Sequence, residues 1–261
     1  MVAIYIEIGG RTVQGVFLKR PNRFLAVVKI GNRAFPSSIP NPGRMLELLT
    51  PGIKVVLREV LKENRKTSHD LIGVFNDGQI VSTDSRVPNR LVLEALRNKD
   101  IEKLSSYNRI TPEHGYRHTR FDFLLTDDLE ACLLEVKSCT LVRDGVALFP
   151  DARTKRGARH IRELTRAKGE GYRACVLFLI QRTDARALSP NDETDPEFGR
   201  TLREAATGGV EVLAYCCEFA GEEIALKGKV TVDLGLTLRR YARASARQKF
   251  KTVVNEKTHR T

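Results

Sequence analysis

Apolar and polar positions alternate in the first third of the chain, and glycine, proline or asparagine separates the short alternating runs. A period of two places every second side chain on the same face of a strand, so this pattern predicts short antiparallel strands. Five such runs are typical of a small five-stranded β-barrel. The predicted barrel strands are 13–19, 23–30, 33–38, 54–61 and 71–75.

The pattern changes after residue 85 to longer runs with helical and strand periods. Helices alternating with apolar strands predict an α/β domain, with a mixed central sheet and helices on both faces. The sequence therefore predicts an all-β domain over 1–85, an α/β domain over 86–238 and a basic tail over 239–261. The predicted elements of the second domain are helices 89–98, 154–169 and 195–207, and strands 119–126, 131–138, 145–149, 172–181 and 210–219.

Charge narrows the choice of partner. The 261 residues include 44 Lys and Arg against 32 Asp and Glu, which gives a formal net charge of +12. Such an excess favours a polyanion through phosphate contacts and counterion release, and nucleic acid is the leading candidate, with DNA favoured over RNA. A basic surface without a specific partner is the alternative.

Cysteine usage and hydropathy indicate the compartment. The five cysteines lie mostly in apolar runs without Cys-x-x-Cys spacing, which predicts reduced core residues and not zinc ligands or disulfides. No apolar run is long enough to cross a membrane, and the first residues lack a signal-peptide layout. We expect a cytoplasmic protein with no membrane segment; the oligomeric state is open, and a homodimer is one alternative.

Two apolar strands carry the most informative charges, Asp122 on the first and Glu135 and Lys137 on the second. The short acidic connection between them predicts an antiparallel register with Asp122 opposite Glu135, their Cβ atoms about 5 Å apart. Lys137 would share that face. Two facing carboxylates repel each other unless a cation lies between them. The alternatives are a structural ion pair with Lys137, or a one-residue slip that turns the charges to solvent.

An Asp on one strand followed by Glu-x-Lys on the next resembles the core of the PD-(D/E)xK nuclease superfamily, although Phe121 and not proline precedes Asp122. Further blocks in order resemble the sugar fermentation stimulation protein A family over roughly residues 10 to 235. That family implies an OB-like nucleic-acid-binding part followed by a nuclease-like part. The blocks are 41–45, 87–91, 120–124, 135–138, 149–152 and 156–160.

The resemblance implies a catalytic metal site. Mg²⁺ or Mn²⁺ would be held by Asp122, Glu135 and the backbone carbonyl of Val136, and Lys137 would orient a water or stabilise the developing charge. Glu94 on the first helix of this domain is a further expected ligand by analogy with the superfamily. An exposed helix charge is the alternative for Glu94.

Several residues are expected to contact nucleic acid. Gly43 frees the backbone to approach a phosphate and Arg44 offers a planar fork for it, although a plain turn is the minimum meaning of this loop. Arg156 or His160, on a basic helix capped by Thr154, would hold the scissile phosphate, and a solvated basic face is the alternative for this helix. Arg120, beside Asp122, is a further expected contact.

The aromatic residues of the predicted barrel have two interpretations. Phe17, Phe24 and Phe35 could stack on bases, but alternating strand positions favour barrel core for all three. Asp151 follows the Glu-x-Lys motif, and we expect it either to support a residue of the metal site or to anchor its loop.

The function implied by these residues is metal-dependent phosphodiester hydrolysis in nucleic acid. The alternative is a non-catalytic DNA-binding regulator of sugar-fermentation genes that retains the nuclease scaffold. A sugar-metabolising enzyme finds no support, because the sequence contains no Walker loop, Rossmann fingerprint or nucleophile elbow.

Overall fold

A computed structural model describes residues 4–60 and 65–235. The predicted basic tail over 239–261 lies outside the described residues. No helix in the described part of the chain is long and apolar enough to cross a membrane. The first seven strands are β1 (Tyr5–Glu7), β2 (Thr12–Asn22), β3 (Leu25–Ile30), β4 (Arg33–Ser38), β5 (Lys54–Glu59), β6 (His69–Asn76) and β7 (Gln79–Ser82).

Strands β2 to β6 form the predicted five-stranded barrel. Antiparallel pairing gives the order β4-β3-β2-β5-β6, and a parallel bridge between Ser38 and Asp70 joins β4 to β6 and closes the barrel. Alternating residues such as Phe17 and Val28 fill its interior. Gly15 on β2 is needed because a Cβ there would lie 2.6 Å from the side chain of Val28 on β3. The prediction of an OB-like barrel is confirmed.

The remaining elements form a mixed α/β domain, as the sequence predicts. They are α1 (Val87–Arg97), β8 (Arg109–Tyr116), β9 (Thr119–Thr126), β10 (Ala131–Cys139), β11 (Val142–Arg143), β12 (Val146–Phe149), α2 (Lys155–Gly169), β13 (Arg173–Ile180), β14 (Ala187–Pro190), α3 (Pro196–Thr207), β15 (Glu211–Ala220), β16 (Glu223–Lys229) and β17 (Thr231–Val232).

The central sheet of this domain has the order β7-β15-β13-β10-β9-β8. β13 is parallel to β10 and β15, and β9 is antiparallel to both of its neighbours, β8 and β10. Helix α1 packs with Leu134 and Val136 of β10 on one face, whereas α2 and α3 pack with Leu133 on the other. Strands β11, β12, β14 and β17 form a smaller sheet beside it.

Several strands depart from the predicted elements, and the short strands β7, β11, β14 and β17 are among those that the sequence pattern does not predict. β8 lacks an apolar alternation, since its positions are largely exposed, and the sequence pattern does not predict it. β16 is likewise absent from the predicted elements. β1 pairs with β16, so residues 5–7 lie against the second domain although the sequence prediction groups 1–85 with the barrel.

A buried ion-pair cluster joins the barrel to the start of α1. Asp70 on β6 is 2% exposed and accepts hydrogen bonds from Arg58 at 2.7 Å and Arg86 at 3.3 Å, as well as from Arg65. Arg86 also binds Asp84. Burial raises the pKa of Asp70, but the hydrogen bonds from Arg65 and Arg58 outweigh it and hold that pKa below its usual value.

Replacing Asp70 tests this junction. Asp70→Ala leaves Arg58 and its neighbours without their carboxylate, and we expect unfolding in urea at neutral pH to become easier by about 3–5 kcal/mol. Because the folded-state pKa is lowered, the carboxylate stabilises above its unfolded-state pKa and loses this effect as pH falls through the folded value. The difference in the free energy of unfolding between the wild type and Asp70→Ala should therefore become smaller in acid.

The matched control is Glu222→Ala, which removes an exposed carboxylate. It should change stability by no more than about 0.5 kcal/mol. Equal stability of Asp70→Ala and the control would contradict the structural role of the cluster.

Candidate active site

The predicted register of β9 and β10 is confirmed over four pairs, which end with Leu134 opposite Phe123. The next pair in that register is Glu135 and Asp122. There the Asp122 side chain replaces ladder pairing, because its Oδ2 accepts the backbone N–H of Val136 at 2.7 Å. The carboxylate of Asp122 is thereby fixed to β10, the strand that carries Glu135.

The backbone on the other side of Asp122 is also irregular. Pro112 of β8 pairs with Phe123 and His114 pairs with Phe121, while Glu113 between them adopts a φ of 55°. The left-handed region is uncommon for a residue other than glycine and is often found at functional sites. The sheet therefore departs from regular pairing at the strand position of Asp122.

Asn89 on α1 completes the surroundings of Asp122. Its Nδ2 donates to Asp122 Oδ1 at 2.7 Å. Burial and then the charge of Glu135 raise the pKa of Asp122, and the bonds from Val136 and Asn89 offset this only in part. On balance, burial and the charge of Glu135 therefore oppose the ionisation of Asp122.

Helix α1 reaches Asp122 through Asn89 and not through Glu94. Glu94 has a side chain that is 39% exposed and forms an ion pair with Arg97 at 2.8 Å. It lies five residues beyond Asn89, about 7.5 Å along the helix axis and roughly 140° around it. The expected metal-ligand role of Glu94 is not supported by this position. Asn89 lies in the family block 87–91, but the analogy with the nuclease superfamily predicted an acidic side chain on this helix and therefore Glu94.

Glu135 is 4% exposed and is held through one of its oxygens. Oε1 contacts Nδ1 of His160 at 2.6 Å and accepts a hydrogen bond from Nζ of Lys137. Burial raises the pKa of Glu135, but the hydrogen bond with His160 and the charge of Lys137 outweigh it and hold the pKa below its usual value. The other oxygen, Oε2, is buried and has no hydrogen-bond partner in the described part of the chain.

The bonds of His160 identify its proton. Arg156 Nε donates to His160 Nε2 at 3.4 Å, so Nε2 is the acceptor and Nδ1 carries the hydrogen that Glu135 accepts. His160 is 3% exposed and packs edge-on against Phe121. The prediction that His160 contacts a phosphate is therefore wrong, because its buried ring is hydrogen-bonded to Glu135 and positions that carboxylate. Arg156 remains exposed on the first turn of α2, which Thr154 caps as predicted.

The donor set fits a hard divalent cation. Glu135 Oε2 is a buried anionic oxygen without a partner among the described residues, and Asp122 is close enough for the charge of Glu135 to raise its pKa. Each Asp122 oxygen accepts one hydrogen bond and keeps a second lone pair. No group of three or more His, Cys, Asp or Glu side chains forms a metal site within residues 4–60 and 65–235. Mg²⁺ commonly uses one or two carboxylates and keeps several waters, so two acids suffice. A contribution from the Val136 carbonyl stays a prediction.

The loop around Gly43 is occupied by a carboxylate of the second domain. Asp151 Oδ2 accepts the backbone N–H groups of Arg44 at 3.1 Å and Met45 at 3.3 Å. Successive N–H groups of this kind form an anion-binding concavity. A Cβ on Gly43 would lie 2.9 Å from Asn41 Oδ1 and 3.2 Å from Asp151 Oδ2, which explains the glycine. The expected phosphate site on this backbone is corrected, since Asp151 fills it; the Arg44 side chain is exposed.

The remaining predicted nucleic-acid contacts differ in exposure. Arg120 is exposed and pairs with Glu113 at 2.9 Å, so its role stays a prediction. Phe17 is 1% exposed and belongs to the barrel core, and Phe35 packs against His69. Phe24 departs from the core prediction, because 55% of it is exposed.

Two family models match this chain. The model for the SfsA N-terminal OB domain matches residues 18–83, and that for the sugar fermentation stimulation protein RE domain matches residues 86–223. The solved structure of Pyrococcus furiosus SfsA in complex with Ca²⁺ is similar, with a TM-score of 0.82 and 27% identity over 89% of this chain and 100% of that chain.

Curated relatives match over nearly their whole lengths. A sugar fermentation stimulation protein homolog from Clostridium acetobutylicum is 45% identical, covering 88% of this chain and 100% of the relative. The homolog from Clostridium tetani is 47% identical, covering 84% and 95%.

Removing the charge of Asp122 should stabilise the metal-free protein. Since its folded-state pKa is raised, ionisation costs stability as pH rises from the usual Asp value through the folded value, and the cost is present in full at neutral pH. In Asp122→Asn the amide oxygen can keep the bond from the Val136 N–H, and the amide nitrogen can donate to the side-chain oxygen of Asn89 once that amide turns over. We therefore expect Asp122→Asn to melt a few degrees higher than the wild type in chelator at neutral pH, and to lose this advantage in acid.

Added Mg²⁺ or Mn²⁺ should narrow or reverse this difference in melting temperature. At 100 times its dissociation constant a ligand stabilises the folded state by about 2.7 kcal/mol, so the wild type should gain stability and Asp122→Asn should not. Equal metal-induced shifts in the two melting curves would argue against Asp122 as a ligand.

The contact made by Asp151 gives a separate prediction. Asp151→Ala leaves two N–H groups of the Gly43 loop without an acceptor, and we expect a loss of about 1–3 kcal/mol in urea unfolding. Amide hydrogen exchange should accelerate at Arg44 and Met45. The control Asp128→Ala removes an acid that is 84% exposed, and the two variants behaving alike would refute the contact.

Proposed function

This chain belongs to the sugar fermentation stimulation protein family, and from the geometry of its acidic cluster we propose that it is a metal-dependent nuclease that hydrolyses phosphodiester bonds. The observation that carries the proposal is Glu135 Oε2, a buried carboxylate oxygen without a partner in the described part of the chain, beside the second acid, Asp122. A buried anionic oxygen is costly unless something pairs with it, and a cation would pair with it.

Mg²⁺ or Mn²⁺ is the proposed ion, with Asp122 and Glu135 as its protein ligands. Such an ion would polarise the phosphate and lower the pKa of a bound water. The Pyrococcus furiosus protein was solved in complex with Ca²⁺, another hard cation that prefers oxygen ligands, and this supports the choice of ion class.

The neighbouring side chains have distinct proposed roles. Asn89 and the Val136 N–H orient Asp122, and His160 orients Glu135 and keeps it ionised. Lys137 has a side chain that is 13% exposed, so its ammonium can act at the surface of the site. There it would orient the attacking water or stabilise charge that develops on the phosphate.

Nucleic acid is the proposed substrate, with DNA favoured over RNA. The net charge of +12 and the N-terminal OB domain support this choice. Arg156 is exposed on the first turn of α2 and is hydrogen-bonded to His160, which in turn contacts Glu135. It is the proposed phosphate-binding side chain. We place this activity in the cytoplasm, where the five free cysteines would remain reduced.

A DNA-binding regulator is the second candidate. The family name is compatible with a regulatory role, and the contacts of Glu135 with Lys137 and His160 exist without a cation. Binding alone, however, does not account for an unpartnered oxygen of Glu135 beside Asp122.

Cleavage assays with Glu135→Gln decide between the two functions. The wild type should cut labelled single-stranded or duplex DNA or RNA in Mg²⁺ or Mn²⁺ and not in chelator. Glu135→Gln keeps the side-chain shape and removes the charge, and we expect a loss of rate on the order of a hundredfold or more. The control Glu222→Gln alters an exposed acid and should cut at the wild-type rate.

The melting temperature of each variant shows that it is folded before its rate is compared. Cleavage by Glu135→Gln at the wild-type rate would exclude the proposed metal site. Binding of nucleic acid by both proteins without cleavage in any metal would favour the regulator.

A further inference from the structure

We propose that Phe24, with Arg23 beside it, is a stacking platform for a base of single-stranded nucleic acid. This inference rests on the proposed function and specifies its substrate. The partner at the barrel is a strand whose bases are unpaired, because bases in a duplex already stack on one another and offer no free face to a side chain.

Phe24 is a large apolar side chain that is exposed to solvent. It is 55% exposed at the tip of the β2–β3 hairpin, whereas Phe17 on the same hairpin is 1% exposed. Burying a phenylalanine is worth roughly 1.5–3 kcal/mol, so leaving the ring in water forgoes that gain. Exposed aromatic side chains on OB barrels are the groups on which successive bases stack.

The backbone at Phe24 is held on both sides. Its N–H donates to Asn22 Oδ1 at 2.9 Å, and its carbonyl accepts the N–H of Ile39 at 2.8 Å. A ring on a fixed backbone loses little freedom when a base stacks on it, because only its own two side-chain torsions remain to be ordered. The hairpin tip therefore presents Phe24 in one place.

Charge near the ring suits a phosphodiester chain. The guanidinium carbon of Arg23 lies 5.3 Å from the centroid of the Phe24 ring. An arginine in this position adds a cation for the phosphate and a second flat surface for the base. Arg44, on the loop that contacts the hairpin tip, is exposed as well.

The platform is tied to the candidate active site by a chain of contacts. Arg20 donates to the carbonyl of Arg23 at 2.7 Å and to that of Gly43 at 2.8 Å, which fixes the hairpin tip to the Gly43 loop. Asp151 holds the same loop and precedes the Thr154 cap of α2 by three residues. The hairpin tip that carries Phe24 is therefore connected, through the Gly43 loop, to the segment before the helix that supports Glu135.

The cavity between the Gly43 loop and the end of β10 does not compete for the base. It has a volume of about 50 Å³ and is lined by residues that include Met45, Cys139 and Asp151. That space is too small for a base, since it has room for only a few waters. The base is therefore placed on the exposed ring and not in this cavity.

Binding measurements in chelator test the platform independently of cleavage. The full chain and its Phe24→Ala and Phe24→Trp variants are titrated with labelled single-stranded DNA, single-stranded RNA and the matched duplex. We expect Phe24→Ala to weaken single-strand binding roughly 5- to 100-fold and to leave duplex binding unchanged. Phe24→Trp, which keeps a stacking ring, should retain the wild-type affinity.

Leu129→Ala is the matched control, since Leu129 is an exposed apolar residue, 95% exposed, in the β9–β10 connection. It should bind all strands as the wild type does. A series of oligonucleotides with one abasic position each provides a second readout. One position should weaken wild-type binding as much as Phe24→Ala does, and should have no further effect on that variant.

The possible failures are distinguishable. Equal single-strand affinity of the wild type and Phe24→Ala would overturn the platform and leave the nuclease proposal standing, since that depends on Glu135. An equal loss on single strands and duplex would also overturn it, because base stacking would not be involved. No binding of any nucleic acid by the wild type would overturn both proposals.

Discussion

The burial of Glu135 is the constraint on which the rest of the site depends. A carboxylate that is 4% exposed is stable as an anion only when hydrogen bonds and positive charge compensate for lost hydration. His160 and Lys137 provide this at a single oxygen, Oε1. The histidine reaches it because Ile161 and Leu164 hold α2 against the sheet. The packing of one amphipathic helix thus fixes the ionisation of Glu135, while Asp122 beside it has a pKa shifted in the opposite direction.

Two sets of contacts fix the barrel relative to this site. Asp70 joins β6 to the start of α1, the helix whose Asn89 orients Asp122. Asp151 joins the Gly43 loop to the segment before α2, the helix whose His160 orients Glu135. Each acid of the site is therefore supported by a helix whose beginning is linked to the barrel.

Residue periodicity predicted most of this arrangement. Alternation located the barrel strands, and the short β9–β10 connection set the register that brings Asp122 and Glu135 together. The helical period also indicates that His160 is buried, because it lies three residues after Gly157 and four before Leu164 on the buried stripe of α2.

The predictions that were wrong or missing have physical causes. β8 is an exposed strand without an apolar alternation, so no period marks it. Asn89 is an uncharged residue whose role depends on a tertiary contact, and an analogy that expected an acid favoured Glu94 instead. Phe24 lies at a turn, where the alternation that buries Phe17 no longer applies.

The choice between a nuclease and a DNA-binding regulator depends on how much folding free energy the acidic cluster costs. A buried polar atom without a partner destabilises a protein by about 1–3 kcal/mol, and a charged one by more. A fold under no functional requirement could remove this cost by replacing Glu135 and His160 with apolar side chains of similar volume. Places where a chain departs from complete polar satisfaction in its core are expected at functional sites. The unpartnered oxygen of Glu135, beside an Asp122 that ionises against its surroundings, therefore argues for a cluster built to receive a cation.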